Sequence, residues 1–115
     1  MKRLNRVRIL SAADKQLLLD LKNTVLRYLP GATVILYGSS ARGQRGPESD
    51  MDVLVLSDRK LSSKEEERVD SAVYDLELEC GIVLSVVFHS KAEWSSPVLR
   101  QSPYYENVMS EGVLV

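Results

Sequence analysis

Two carboxylates two residues apart, Asp50 and Asp52, open the run Val53-Leu54-Val55-Leu56. On an extended chain residues i and i+2 face the same side, so both carboxylates converge on one face of whatever sheet this strand joins. Such a pair repels itself unless a cation lies between its members. Its oxygens are hard donors, and in an otherwise apolar strand they suit magnesium or manganese. Magnesium completes its shell with water and substrate phosphates, so the pair also predicts a nucleotide or another polyphosphate. Asp50 and Asp52 are therefore the candidate catalytic and metal-binding residues.

A second constellation precedes them. Gly38-Ser39 stands ten residues before Asp50-Met51-Asp52, and the intervening chain is rich in glycine, serine and arginine: GSSARGQRGPES. Gly38 permits a tight turn directly after a strand. Ser39, Ser40 and the backbone N–H groups of the turn can donate hydrogen bonds to phosphate oxygens. If Ser40-Ala41-Arg42 starts a short helix, its N-terminus adds a favourable dipole. Arg42 and Arg45 offer positive charge and forked donors for phosphate. A phosphate cradle beside a pair of metal-binding carboxylates is the layout for metal-assisted attack on a nucleoside triphosphate.

Both constellations must be held by regular elements. Leu17, Leu18, Leu21, Val25 and Leu29 recur at spacings of three and four, which predicts a helix over Ser11 to Leu29. Ser11 with Asp14 has the form of a capping box, and Pro30-Gly31 stops the helix. Thr33 to Tyr37 is a β-branched and aromatic strand ending at Gly38, and Met51 to Leu56 is a strand apolar on both faces, hence central. Ser62 or Ser63 caps a second helix that runs to about Cys80, with Val69, Ala72, Val73, Leu76 and Cys80 as its buried stripe. Gly81 ends it, and Ile82 to Phe88 reads as a third strand. Ser90 with Glu93 marks another N-cap, before a short helical C-terminal region punctuated by Pro97 and Pro103 and closed by Gly112. The order is helix, strand, strand, helix, strand, helix, with room for a strand before the first helix. That predicts an α/β (α+β) fold: a small mixed sheet flanked by helices.

Composition bounds the rest. At 115 residues, 44% apolar and 27% charged, the chain is expected to be one globular domain spanning 1–115. No apolar run approaches the roughly 20 residues of a membrane span. The N-terminus MKRLNRVRIL lacks the apolar core and cleavage site of a signal peptide, and Cys80 is the one cysteine, which together suit a cytoplasmic protein. A net charge of -1 argues against a protein whose main task is coating nucleic acid, and the basic run Lys2, Arg3, Arg6, Arg8 reads as a solvated strand or tail. His89, Trp94, Tyr104 and Tyr105 read as packing residues.

The central segment LYGSSARGQRGPESDMDVLVL resembles the nucleotidyltransferase superfamily that includes DNA polymerase β, and more closely its minimal, stand-alone members. The spacer of ten and the Ala-Arg-Gly after the serines match that subfamily, and the similarity extends through VLSVVFHSKAEW to YYENVMSEGVLV. The resemblance implies a nucleotidyltransferase fold, with Gly38 and Ser39 holding a triphosphate and Asp50 and Asp52 binding magnesium. It implies transfer of a nucleoside monophosphate, AMP from ATP, to an acceptor. It also implies an alternative: a catalytically weak subunit or antitoxin that binds a helical partner of the HEPN type. An acceptor site completed by a partner or a second copy implies a homo- or hetero-oligomer. One departure stands out. The family's third carboxylate, expected on a neighbouring strand, has no counterpart in Ile82–Phe88, where Ser85 is the one polar residue. Asp75, Glu77 and Glu79 belong to the preceding helix, and Glu79 is the nearest substitute.

Overall fold

The computed structural model describes residues 1–44 and 50–115. Its elements in chain order are β1 (Lys2–Arg3), a 3-10 turn (Leu4–Arg6), α1 (Ala12–Tyr28), β2 (Thr33–Tyr37), β3 (Met51–Ser57), α2 (Ser63–Cys80) and β4 (Leu84–Ser90). Three short helices, α3 (Lys91–Trp94), α4 (Pro97–Arg100) and α5 (Pro103–Glu111), then lead to β5 (Val113–Leu114). The strands form a mixed sheet in the order β1-β5-β2-β3-β4. β2 is antiparallel to both β3 and β5, whereas β3 and β4 are parallel. A parallel pair cannot be joined by a hairpin, and α2 makes the crossover.

Alternation along the central strands divides the core. Val34 and Leu36 of β2 with Met51, Val53 and Val55 of β3 face α1 and α2. Leu18, Leu21 and Val25 of α1 are fully buried there, and Val69 and Val73 of α2 join them. Truncating any of these leucines to alanine would cost about 2–5 kcal/mol. Ile35 of β2 with Leu54 and Leu56 of β3 face the other way, onto Trp94 of α3 and Val108 of α5. β3 is covered on both sides, as a strand without alternation must be.

Caps set the helix starts. Ser11 Oγ accepts the Asp14 N–H at 3.0 Å, and Ser62 and Ser90 each make a reciprocal capping box, with Glu65 and Glu93. Such caps contribute about 1 kcal/mol each. α2 ends at Gly81, in the left-handed conformation at φ 72°.

Three expectations need correction. The third strand runs Leu84–Ser90 rather than from Ile82, because α2 is followed by Gly81, partly exposed Ile82 and exposed Val83 before pairing with β3 begins. Cys80 is exposed, not part of the buried stripe: it is the last residue of α2, and Leu78 and Glu79 before it are exposed as well. The chain after Gly112 forms β5, which inserts between β1 and β2. The room left for an early strand is taken by β1, paired in parallel with β5.

Candidate active site

Register builds the centre of the site. Asp52 stands opposite Tyr37 of β2 on one side and opposite Ser85 of β4 on the other. All three lie on the face that carries Ile35, Leu54 and Val87, toward α5. Asp52 is half-buried, whereas Asp50, just before β3, is exposed. Burial, and then the negative charge of Asp50, hold the Asp52 carboxyl above its ordinary range, partly offset by Arg42. The two aspartates therefore strain against each other as their spacing requires.

The glycine-rich loop meets this pair at its first residue. Gly38 has φ 76°, where an L side chain would cost about 1–2 kcal/mol. A Cβ on Gly38 would stand 2.6 Å from Asp52 Oδ2, so only glycine lets the backbone lie against that carboxylate. Beyond it the chain makes tight turns instead of the helix start expected at Ser40-Ala41-Arg42. The Arg42 N–H donates to the Gly38 carbonyl at 3.2 Å, Gly43 to Ser40 at 3.2 Å and Gln44 to Ser39 at 2.8 Å. These changing spacings coil the loop once without propagating a helix. Ser39 is partly exposed, but Ser40 is 1% exposed and its hydroxyl has no hydrogen-bond partner among the described residues. Arg45 lies outside the described residues.

Arg42 is held in place. Its Nη1 donates to both carboxylate oxygens of Glu111 at 2.9 and 3.0 Å, and its Nε to Gln44 Oε1 at 3.1 Å. Glu111 ends α5, 69 residues away, and nothing in the sequence pairs the two. The same helix sets Tyr104 against Tyr37, with ring centroids 5.5 Å apart. Burial, the neighbouring Tyr37 hydroxyl and the charge of Asp52 push the Tyr104 phenol well above its ordinary range. Trp94 meets Tyr104 edge-on and Tyr105 at a tilt, so these aromatics pack together as expected. His89, at the far end of β4, lies against Trp94.

Ser85 is the β4 residue in register with Asp52, so no carboxylate stands opposite it on that strand. Asp75, Glu77 and Glu79 all belong to α2, and Glu77 Oε2 accepts the Leu84 N–H at 3.3 Å. Glu79 is exposed on that helix. Among the described residues no three His, Cys, Asp or Glu side chains gather as metal ligands. Asp50 and Asp52, with Ser85 beside them, offer hard oxygens only, and a divalent cation there would offset both the burial and the repulsion at Asp52.

A nucleotide-handling fold built on a Gly-Ser turn against an acid-x-acid strand defines a class, and the profile of the nucleotidyltransferase domain family matches residues 18–114. The chain belongs to that family. Among individual proteins, it is 36% identical over 58 residues to "Putative protein adenylyltransferase MJ0141" of Methanocaldococcus jannaschii. That match takes in 50% of this chain and 59% of the relative's length. Two solved structures share the fold. One, a toxin–antitoxin with AMP-PNP, superposes with a TM-score of 0.58 at 20% identity, over 86% of this chain and 69% of the other. The second, the Y104A mutant of the toxin–antitoxin MntA-HpeT, gives 0.57 at 19% identity, over 84% and 69%. Among the described residues no helix is long and apolar enough to cross a membrane.

Proposed function

We propose that this chain transfers AMP from ATP to a hydroxyl on a partner protein. The contact between Gly38 and the Asp52 carboxylate carries the reading, because it sets the glycine turn directly against one of the two acids. Asp50 and Asp52 would hold magnesium, whose charge would neutralise the triphosphate and the leaving group. Ser39, through its hydroxyl, and the loop N–H groups would bind the terminal phosphates, and Arg42 and Arg45 would supply positive charge. Ser40 would act through the loop backbone, since its hydroxyl is buried.

In the reaction the acceptor oxygen bonds to the α-phosphorus, and the bond from that phosphorus to the α–β bridging oxygen breaks. Pyrophosphate departs with the electron pair. The hydroxyl proton would pass to solvent, since Glu77 and Glu111 at this end of the sheet are engaged with the Leu84 N–H and with Arg42. The chain's own work would be positional: the loop would fix the phosphates, and Tyr37, packed on Tyr104, would steady Asp52 opposite it in register.

The relative named as a protein adenylyltransferase supports a protein acceptor, and the toxin–antitoxin neighbours support a separate partner, for which a HEPN-type helical protein is the candidate. A cytoplasmic setting suits ATP chemistry of this kind. One observation favours a second reading, a weakly active antitoxin-like subunit: Ser85, a neutral hydroxyl, is the β4 residue in register with Asp52. The two are separated by incubating the chain and a candidate HEPN partner with ATP labelled at the α- or the γ-phosphate. Transfer of the α-label to the partner, lost in Asp52→Asn, supports the enzyme. A stable complex without label supports the binding subunit.

A further inference from the structure

We propose that the groove between the N-terminal segment and the glycine-rich loop docks an acidic peptide segment of a partner protein. The groove has a volume of about 610 Å³, and four cations line it: Lys2, Arg6, Arg8 and Arg42. Its floor is apolar, with Val7 and Ala41 among the lining residues.

The basic run is anchored, not a loose tail. Leu4, Val7 and Leu10 are buried at 5%, 4% and 8% exposure, which leaves Lys2, Arg6 and Arg8 pointing outward at intervals between them. β1 pairs with β5, and the Val7 N–H donates to the Leu4 carbonyl at 3.2 Å. Ile9 Cδ1 lies 3.1 Å from where a Cβ on Gly43 would stand, so the segment is laid along the loop itself. A cation held in place by its own backbone loses less freedom on binding than one on a disordered arm.

The groove also contains an example of what it recognises. Among the described residues its one carboxylate, Glu111, is held by Arg42, whose Nη1 donates to both of its oxygens in a charge-assisted pair. Lys2, Arg6 and Arg8 have no carboxylate partner among the described residues, so three positive charges remain to be matched.

Carboxylate-bearing peptide fits better than a phosphate backbone. Proteins that hold single-stranded nucleic acid stack its bases on aromatic side chains, and no aromatic side chain lines this groove among the described residues. An apolar floor with cations along it suits a strand or helix that alternates acidic and aliphatic residues. Arg42 joins the groove to the site, since its N–H donates to the carbonyl of Gly38, the residue that lies against the Asp52 carboxylate. A segment docked here therefore lies next to the carboxylate pair, and this placement, unlike the docking itself, rests on the function proposed above.

The test is fluorescence anisotropy of the full chain with a short labelled peptide alternating Glu and Leu, beside its Gln-for-Glu counterpart and a single-stranded RNA of equal charge. The peptide should bind, should weaken as salt rises, and should lose about tenfold in affinity in Arg6→Ala/Arg8→Ala. Thermal melting confirms that this doubly exposed variant is folded. Peptide binding should persist in Asp50→Asn/Asp52→Asn, so a failure of the proposed catalysis leaves the docking claim testable on its own. Tighter binding of the RNA, equal binding of the Gln peptide, or no loss in the arginine variant would overturn it.

Discussion

Replacing Asp52 by asparagine should make the metal-free protein more stable while removing its function. Side chains two apart on a strand are separated by about 7 Å. Two unit charges at that distance repel by about 0.6 kcal/mol in water and about 2.4 kcal/mol at an effective dielectric of about 20. Asp50 is exposed and Asp52 half-buried, so the true repulsion lies between these limits. A gain of about 1 kcal/mol for Asp52→Asn at pH 7 is expected, or about 4 °C in Tm for a chain of this size. The pH dependence follows from the direction of the shift. The folded Asp52 carboxyl is held above its ordinary value of 3.8, so its ionised form costs stability at neutral pH. That cost fades as pH falls through the folded pKa, and it is gone below 3.8, where folded and unfolded states are both protonated. Scanning calorimetry in EDTA at pH 7 and at about pH 3.5 measures it. The variant should melt higher at pH 7 and level with the native protein at acid pH. A lower Tm at pH 7, or a gap that does not close in acid, would refute the account of Asp52 as a strained, repelled carboxylate.

Other perturbations reach different parts of the same argument. Gly38→Ala should destabilise the fold by about 1–2 kcal/mol, since it places a side chain at φ 76° against Asp52 Oδ2, and should abolish nucleotide binding; chemical denaturation and calorimetry check the two effects. Ser85→Asp adds a carboxylate in register with Asp52, so it should lower Tm in EDTA and raise manganese affinity at least tenfold, read by paramagnetic titration. The exposed Cys80 thiol should react with a thiol-specific chromophore in the native protein as fast as it does in urea.

The strong signals in the sequence were those with short period or fixed chemistry. The leucine spacing of α1, the unbroken apolar run of β3 and the serine caps of α2 and α3 are all decided within a few residues, and the structure follows them. The Gly38 turn was legible for the same reason. What escaped depends on contacts remote in the chain. β5 is two residues long, and only its place between β1 and β2 makes it a strand. The Arg42–Glu111 pair spans 69 residues. Tyr37 and Ser85 flank Asp52 by register, which no local pattern specifies. Cys80 fits the helical period of α2 yet is exposed, because period fixes a direction around the helix but not whether anything packs against its last residues.

Calorimetric titration with ATP, with and without magnesium, of the native chain and of Asp50→Asn/Asp52→Asn tests the central claim most directly. The account predicts binding that requires magnesium and is lost in the double variant, whose melting confirms an intact fold. Magnesium-dependent binding of equal strength in the double variant would contradict it.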